Sequence, residues 1–398
     1  MLKRHILIFI IMVMVTSLGQ IMSDMYLPSL PAIGEGLKAS HHLIQLSLSV
    51  FMFGFAISLA IYGPLSDGIG RRIPLIIGLV LCLVGSIFCI SAQSITGMII
   101  GRLLQGLGAG ATLSITQPIL RDLFDGKTLA KYSSYSALIG VGFLTLAPLI
   151  GGYLQYYFGW RASFLFVLIY SLAALAAIIF LVPETNKHRH PLNLTSSVIK
   201  KNLKTVITSP TFIGYCVCSL LAYGALLAWL TSGPIVLQSV IGLSPVSFGW
   251  VYVLTGIGFA MGAVLNAKCV NTFGINKMMV VGLLCVFLSG IGMSVCAWMG
   301  VISSLGIIPW AVMLLFGVSM VFPNTSAGVF QPFPEIAGIT SAIFYSTRVL
   351  SGSIFSFLVA VMPSKSQLPM GLVFIFCSLL ALIIFRITSS KSNERLIS

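Results

Sequence analysis

Apolar runs of about twenty residues recur from residue 5 to residue 387, and only short polar gaps separate them. An α-helix needs a run of this length to cross a lipid bilayer. Hydrophobic residues make up 58% of the 398 residues and charged residues only 8%, which excludes a soluble globular protein. The runs are apolar on all sides, which also excludes the alternating pattern of a membrane β-barrel. The sequence therefore predicts an all-α membrane protein.

Division of the chain at its polar and Gly/Pro-rich gaps predicts twelve transmembrane helices. They cover residues 5–27, 43–63, 74–92, 97–118, 132–153, 161–182, 210–231, 246–266, 277–298, 306–323, 339–361 and 370–387. The longest polar gap separates the sixth span from the seventh. We therefore predict an N-terminal six-helix bundle at 1–186, a cytoplasmic linker at 187–209 and a C-terminal six-helix bundle at 210–398.

The basic residues indicate the orientation in the membrane. If both termini are cytoplasmic, about 17 of the 22 Lys and Arg lie on the cytoplasmic side, in agreement with the positive-inside rule. Lys38, Arg161 and Lys365 then lie outside, and Arg102 and Arg348 lie within the membrane. The net charge of +14 is thus explained by membrane topology, and nucleic acid is not expected as a partner.

The two halves also show weak similarity to each other at an offset of 204 residues. The matching pairs are Ser40 and Ser244, Gly54 and Gly258, and Gly70 and Gly274. Together with the six-plus-six layout, they indicate parallel repeats of the kind found in two-bundle transporters, whose substrate site lies near the membrane midplane between the halves.

Three ionisable residues lie deep in apolar spans, where a charge is costly and usually functional: Asp24, Arg102 and Arg348. Asp24 and Arg102 lie at similar depth in the first and fourth spans, so they could form a pair. Low dielectric disfavours the ionised form of Asp24 and Arg102 favours it, so solvent access and substrate charge would decide its protonation. The alternative is a static pair that only holds two helices together.

Polar and aromatic groups near the midplane are the candidates for substrate binding. Gln20 and Ser17 share one face of the first span with Asp24, and Phe344 and Tyr345 lie about one turn from Arg348. The predicted substrate-binding residues are Gln20, Tyr26, Gln105, Tyr135, Trp229, Tyr345 and Arg348.

Two Gly- and Pro-containing segments are candidates for gating. The segment from Gly63 to Arg72 is expected to form a tight turn that carries one acid and two cations. In the fifth span, a proline removes a backbone donor and a glycine pair thins the helix, although ordinary packing would explain both features. The predicted gating residues are Gly63, Asp67, Gly70, Arg71, Arg72, Pro148, Gly151 and Gly152.

Several of these segments resemble motifs of the major facilitator superfamily. The segment from Gly63 to Arg72 resembles the signature between its second and third spans, and the segment from Arg102 to Gly110 resembles its fourth-span motif. The segment from Gly140 to Gly152 resembles the fifth-span motif of its antiporters. The resemblance implies the twelve-helix major facilitator fold.

Further segments are similar to drug:proton antiporters of the bicyclomycin/chloramphenicol-resistance (Bcr/CflA) type. These are Asp24–Pro31, Trp160-Arg161 and Pro183–Thr185. Phe322-Pro323 and Pro332–Pro334 resemble EmrD-like multidrug transporters. The likeness extends over the whole chain and is most specific in the first half.

The resemblance implies that Asp24 carries the proton, that Arg102 takes part in coupling, and that Asp67, Arg71 and Arg72 clamp the cytoplasmic gate. The expected function is proton-coupled export of drugs or other small amphipathic compounds across the bacterial inner membrane by alternating access. The expected partners are a small-molecule substrate, protons and membrane lipid. We expect a monomer that uses the proton gradient and needs no cofactor or metal.

Two alternatives remain open at this point. A transporter of the same fold could export or import one anionic metabolite or siderophore, with Arg102 and Arg348 as its anion site. A channel or receptor would need a continuous polar lining or a signalling domain, and neither is evident in the sequence. An enzyme is not expected, because the sequence has no metal-ligand cluster, nucleophile triad or phosphate-binding loop.

Overall fold

The computed structural model describes residues 2–124, 126–186, 203–333, 336–363 and 365–397. Most of the predicted linker at 187–209 lies outside these residues, as does Pro334. Among the described residues there are helices, turns and irregular segments but no strand. The predicted all-α class is therefore confirmed.

The helices are named in chain order. They are α1 (Leu2–Asp24), α2 (Leu30–Leu37), α3 (His41–Ile69), α4 (Arg72–Ser91), α5 (Ile95–Leu123), α6 (Gly126–Phe158), α7 (Arg161–Leu181), α8 (Pro210–Ile235), α9 (Pro245–Trp298), α10 (Ser304–Phe330), α11 (Ala337–Ala360) and α12 (Leu368–Ile397). A short 3₁₀ helix (Leu27–Ser29) precedes α2, and a π-helical turn (Val236–Val240) follows α8.

All twelve predicted spans lie on these helices. In the described part of the chain, ten helices are long and apolar enough to cross a membrane. The predicted eighth and ninth spans both lie on α9, whose backbone is non-helical at Gly274, and the predicted fifth span lies on α6. Serines cap several helix starts; for example, Ser94 accepts a hydrogen bond from the backbone N–H of Gly97 at the start of α5 (3.3 Å).

The predicted turn between the second and third spans begins later than expected. Gly63 and Asp67 lie inside α3, which continues through Pro64 to Ile69. The chain leaves the helix at Gly70, whose φ of +107° is accessible to glycine at little cost. Pro64 removes only one helical N–H, so it does not end the helix by itself. The placement of Gly63 in a tight turn was therefore wrong.

The chain divides into two compact units, Met1–Asn193 with Ser244–Trp250, and Leu194–Leu243 with Val251–Ser398. In the first unit, α5 packs against α1, α3 and α4, and α7 packs against α1 and α4. In the second unit, α8 packs against α10, α11 and α12. The predicted boundaries at residues 186 and 210 stay a prediction.

Small residues bring the helix backbones of the first unit into direct contact. A Cβ atom at Gly106 of α5 would overlap the carbonyl oxygen of Phe51 in α3, and one at Gly108 would overlap the carbonyl oxygen of Gly78 in α4. In a membrane, lipid tails are as apolar as leucine, so helix association depends on such close packing. The glycines of the fourth predicted span therefore hold α5 between its two neighbours.

The repeated positions have the same structural roles in the two units. Gly70 and Gly274 both adopt a positive φ with an extended ψ (107° and 164°; 81° and 161°) and interrupt the helices at equivalent points. A Cβ atom at Gly54 or at Gly258 would lie 2.8 Å from a carbonyl oxygen of α5 or of α10, respectively. These matches support the predicted internal repeat.

We expect Gly106→Ala to destabilise the protein, because the added methyl group would force α3 and α5 apart. Overpacking of this kind should lower the unfolding temperature of the purified protein in detergent by about 5 °C. Gly97→Ala in the same helix is the control, because its Cβ would make only ordinary contacts, the nearest at 3.7 Å. Equal unfolding temperatures for the two variants would contradict this packing description.

Candidate functional site

The side chain of Arg102 in α5 is fully buried and lies between two aromatic rings. The guanidinium carbon is 4.1 Å from the ring centre of Tyr26 and 4.2 Å from that of Phe51. Nη1 donates hydrogen bonds to the carbonyl oxygen of Met22 (2.8 Å) and to Oε1 of Gln105 (2.7 Å). Arg102 thus connects α5 with α1 and α3 through cation–π and charge-assisted contacts.

A polar network extends outward from Arg102. Gln105 donates from Nε2 to Oγ of Ser86 in α4 (2.9 Å), and Ser86 donates to the carbonyl oxygen of Cys82 (2.7 Å). The hydroxyl groups of Tyr26 and Ser47 share a hydrogen bond of 3.3 Å. Side chains of α3, α4 and α5, and that of Tyr26 in the turn after α1, are therefore hydrogen-bonded inside an apolar bundle, where an unpaired polar group is costly.

Asp24 is the last residue of α1, and only 2% of its surface is exposed. Its carboxyl group interacts with the Ser23 side chain and electrostatically with Arg102. The expected ion pair between Asp24 and Arg102 does not form. In the described part of the chain, the ion pairs within 4.0 Å involve only Arg71. The physical reason is that the two rings, Met22 and Gln105 hold the guanidinium group in place. The carboxyl group of Asp24 is therefore near Arg102 but not locked to it.

The polar stripe predicted on the first span has two different environments. Ser17 shares a hydrogen bond of 2.8 Å with the hydroxyl group of Tyr170 in α7, and Thr16 donates to Oγ1 of Thr116 in α5 (2.9 Å). Gln20, one turn before Asp24, is exposed. The stripe therefore contributes both to packing within the first unit and to its surface.

The other predicted substrate-binding residues differ in exposure. Tyr135 and Tyr345 are 46% and 37% exposed. Tyr26, Gln105 and Trp229 are almost fully buried. As placed, these three side chains contribute to packing, and their role in substrate binding stays a prediction.

Arg348 lies at the centre of the apolar stretch Gly338–Ala360. Its guanidinium carbon is 3.5 Å from the ring centre of Phe322 in α10 and 5.1 Å from that of Tyr223 in α8. The side chain is partly exposed. Both intramembrane arginines therefore lie against aromatic faces, and Arg348 is the less buried of the two.

The three charged residues among the predicted gate residues, Asp67, Arg71 and Arg72, lie in a charged cluster within the first unit. Arg71 makes an ion pair with Asp67, and its Nε lies 3.5 Å from Oδ2 of Asp122 near the end of α5. Arg72 donates from Nη2 to the carbonyl oxygen of Ile179 in α7. The cluster joins the ends of α3, α4, α5 and α7.

Glu184 completes this cluster and was not among the predicted gate residues. Its Oε1 accepts a hydrogen bond from the backbone N–H of Arg71 (2.9 Å) and its Oε2 accepts one from that of Arg72 (3.2 Å). The carboxylate thus caps the first turn of α4 and opposes the positive end of its dipole. Asp122, also missed, accepts a hydrogen bond from Thr185 (2.9 Å). The sequence signals for Glu184 were that Pro183–Thr185 directly follows a predicted span and that this segment resembles the Bcr/CflA type.

The predicted glycine pair of the fifth span lies at close backbone contacts. A Cβ atom at Gly151 would overlap the carbonyl oxygen of Met25, and one at Gly152 would overlap that of Pro245, which belongs to the same compact unit. Pro148, in the same helix, is buried. Gly63 of α3 differs, because a Cβ atom there would have no neighbour within 4 Å. The gating role of these residues stays a prediction.

A sequence profile of the Major Facilitator Superfamily matches residues 9–356. The chain belongs to this superfamily. It is 27% identical over 372 residues to a bicyclomycin resistance protein homolog of Haemophilus influenzae. The aligned region covers 93% of this chain and 92% of the relative. It is 24% identical over 381 residues to multidrug resistance protein D of Escherichia coli K12, with coverage of 95% and 94%.

Solved structures of the superfamily share the fold. A D-xylose-proton symporter superposes with a TM-score of 0.75 at 16% identity and covers 94% of this chain and 97% of its own. A peptide transporter in complex with sulfate superposes with a TM-score of 0.78 at 15% identity, with coverage of 97% and 94%. The predicted major facilitator fold and the transporter class are confirmed, and the protein is not an enzyme.

We expect Glu184→Ala to lower the unfolding temperature of this superfamily member by about 3 °C, because it removes both acceptors at the start of α4. Glu184→Gln should have about half this effect, since one oxygen remains. Glu35→Ala is the control, because Glu35 is exposed on the short helix α2. Differential scanning fluorimetry in detergent measures the unfolding temperatures of the three variants. Equal unfolding temperatures for Glu184→Ala and Glu35→Ala would contradict the capping role.

Proposed function

We propose that this protein is a proton-coupled exporter of drugs or other small amphipathic compounds and that it works by alternating access in the bacterial inner membrane. The observation that carries the proposal is a buried carboxyl group, Asp24, that lies in an apolar span near Arg102 and makes no ion pair with any residue that the structure describes. The full-length similarity to two proteins named for drug resistance supports the drug class.

Asp24 is suited to carry the proton because of its position. Among the eight acidic residues, it is the one that lies within a predicted span. Apolar surroundings favour its neutral form and Arg102 favours its ionised form, so small changes in hydration or distance alter the balance. Nε and Nη2 of Arg102 have no hydrogen-bond partner among the described residues, so they are available to an ionised carboxylate. Arg102 therefore couples the protonation of Asp24 to the packing of α1.

The proposed substrate-binding side chains are aromatic or polar, as amphipathic compounds require. Gln20, Tyr135, Tyr345 and Arg348 are exposed or partly exposed in this structure. Tyr26, Gln105 and Trp229 would become accessible only when the helices move, because they are now buried.

The charged cluster around Arg71 is the proposed cytoplasmic gate. The distribution of Lys and Arg favours cytoplasmic termini under the positive-inside rule, and in that orientation Asp67, Arg71 and Arg72 lie on the cytoplasmic side. Asp67 is exposed, so its ion pair with Arg71 is individually weak and can break and re-form during transport. We propose that the protein acts as a monomer, uses the proton gradient and needs no cofactor.

We expect Asp24→Asn to abolish substrate-driven proton movement while preserving the fold, because asparagine has nearly the same shape and carries no exchangeable carboxyl proton. The measurement uses proteoliposomes with an imposed pH gradient and an internal pH-sensitive dye, to which candidate compounds are added. Wild-type protein should show proton flux on addition of a substrate.

Glu35→Gln is the matched control, because it changes the acidic residue that follows Asp24 next in the chain, on the exposed helix α2. This variant should retain the flux of the wild type. Substrate-driven flux that persists in Asp24→Asn would contradict the proton role of Asp24. Absence of flux with every drug in the wild type would favour the transporter of a single metabolite.

A further inference from the structure

We propose that Arg348 selects substrates by charge, in that it binds a carboxylate or another anionic group of the exported compound. Compounds that carry such a group should therefore bind better than cations of the same shape. This inference rests on the proposed export function and specifies the chemistry of its substrates.

The second half of the chain offers no membrane-embedded counter-ion for Arg348. Its two acidic residues from residue 210 onward are Glu335 and Glu394, and both lie outside the predicted spans. Arg348 lies 11 residues after the start of α11 at Ala337, which corresponds to about 17 Å along the helix axis. A cation at this depth is costly without a partner, so an anion supplied by a ligand is the natural one.

The surroundings of Arg348 leave its hydrogen-bonding edge available. The rings of Phe322 and Tyr223 lie against the guanidinium group at 3.5 Å and 5.1 Å. No hydrogen bond or ion pair to its N–H groups occurs within the described ranges, and the side chain is partly exposed. Aromatic rings stabilise the planar cation through its face, while its N–H edge matches a carboxylate in a two-point contact.

Arg102 is less suited to this role. It is fully buried, and its Nη1 is occupied by Met22 and Gln105 within the first unit. A ligand would first have to displace these groups or the two aromatic rings. The two arginines therefore have separate tasks: Arg102 acts on the proton-carrying carboxyl group of Asp24, and Arg348 recognises the substrate.

The test uses two fluorescent dyes that differ only at one group. Tetramethylrhodamine carries a free carboxylate, and its methyl ester is a cation of nearly the same shape. Binding to the purified protein in nanodiscs is measured by fluorescence anisotropy at neutral pH. We expect the free acid to bind at least about tenfold more tightly than the ester, because hydrogen bonds between charged groups are the strong ones.

The variants assign this preference to Arg348. Arg348→Gln should weaken binding of the acid about tenfold and leave binding of the ester unchanged or stronger. Arg348→Lys keeps a positive charge but loses the planar fork, so it should retain a smaller preference for the acid. Lys365→Gln is the control, because it removes an exposed cation of the second unit and should change neither affinity.

Three results would overturn the inference. Equal or tighter binding of the ester by the wild type would contradict charge selection while leaving proton-coupled export intact. Unchanged binding of the acid by Arg348→Gln would remove Arg348 as the responsible residue. A wild-type protein that binds neither dye but shows drug-driven proton flux would contradict only the anionic substrate class, whereas absence of that flux as well would contradict the proposed export function.

Discussion

A guanidinium group inside an apolar helix bundle needs partners within the bundle. The contacts that Arg102 makes there determine how the helices of the first unit are arranged around it. It lies between the rings of Tyr26 and Phe51 and donates to a backbone carbonyl and to Gln105. These contacts come from α1, α3 and α5 together, so the three helices hold one another through a single charge. Asp24 lies near this charge and makes no ion pair with a described residue, as its proposed role in proton exchange requires.

The helices and the three intramembrane charges could be predicted from the sequence, because each span must satisfy its own backbone and therefore needs about twenty apolar residues. The partners of Arg102 could not, since one of them is the backbone carbonyl of Met22, which carries no side-chain signal. The cap at α4 was also beyond sequence reasoning, because Glu184 and Arg72 are 112 positions apart. Gly63 was misplaced because both Gly63 and Gly70 permit a turn and only the packed structure selects Gly70.

The two units share backbone geometry but differ in charge. Gly70 and Gly274 interrupt their helices in the same way, yet the segment around Gly70 carries Asp67, Arg71 and Arg72. In the second unit, Asn271 occupies the position that corresponds to Asp67, and the nearby Asn276 accepts a hydrogen bond from the hydroxyl group of Tyr215 (2.5 Å). The charged cluster thus occurs in the first unit, where the second unit has asparagines. The second unit instead has Arg348 with its aromatic neighbours.

In the proposed mechanism, the carboxyl group of Asp24 exchanges its proton when substrate binds. The most direct test is to add a transported compound to the purified protein in weakly buffered detergent solution and to measure released protons with a pH indicator. We expect the wild type to release about one proton per bound substrate and Asp24→Asn to release none, whereas Glu35→Gln should release as many protons as the wild type. Equal proton release by Asp24→Asn, or substrate binding without release by the wild type, would contradict this mechanism.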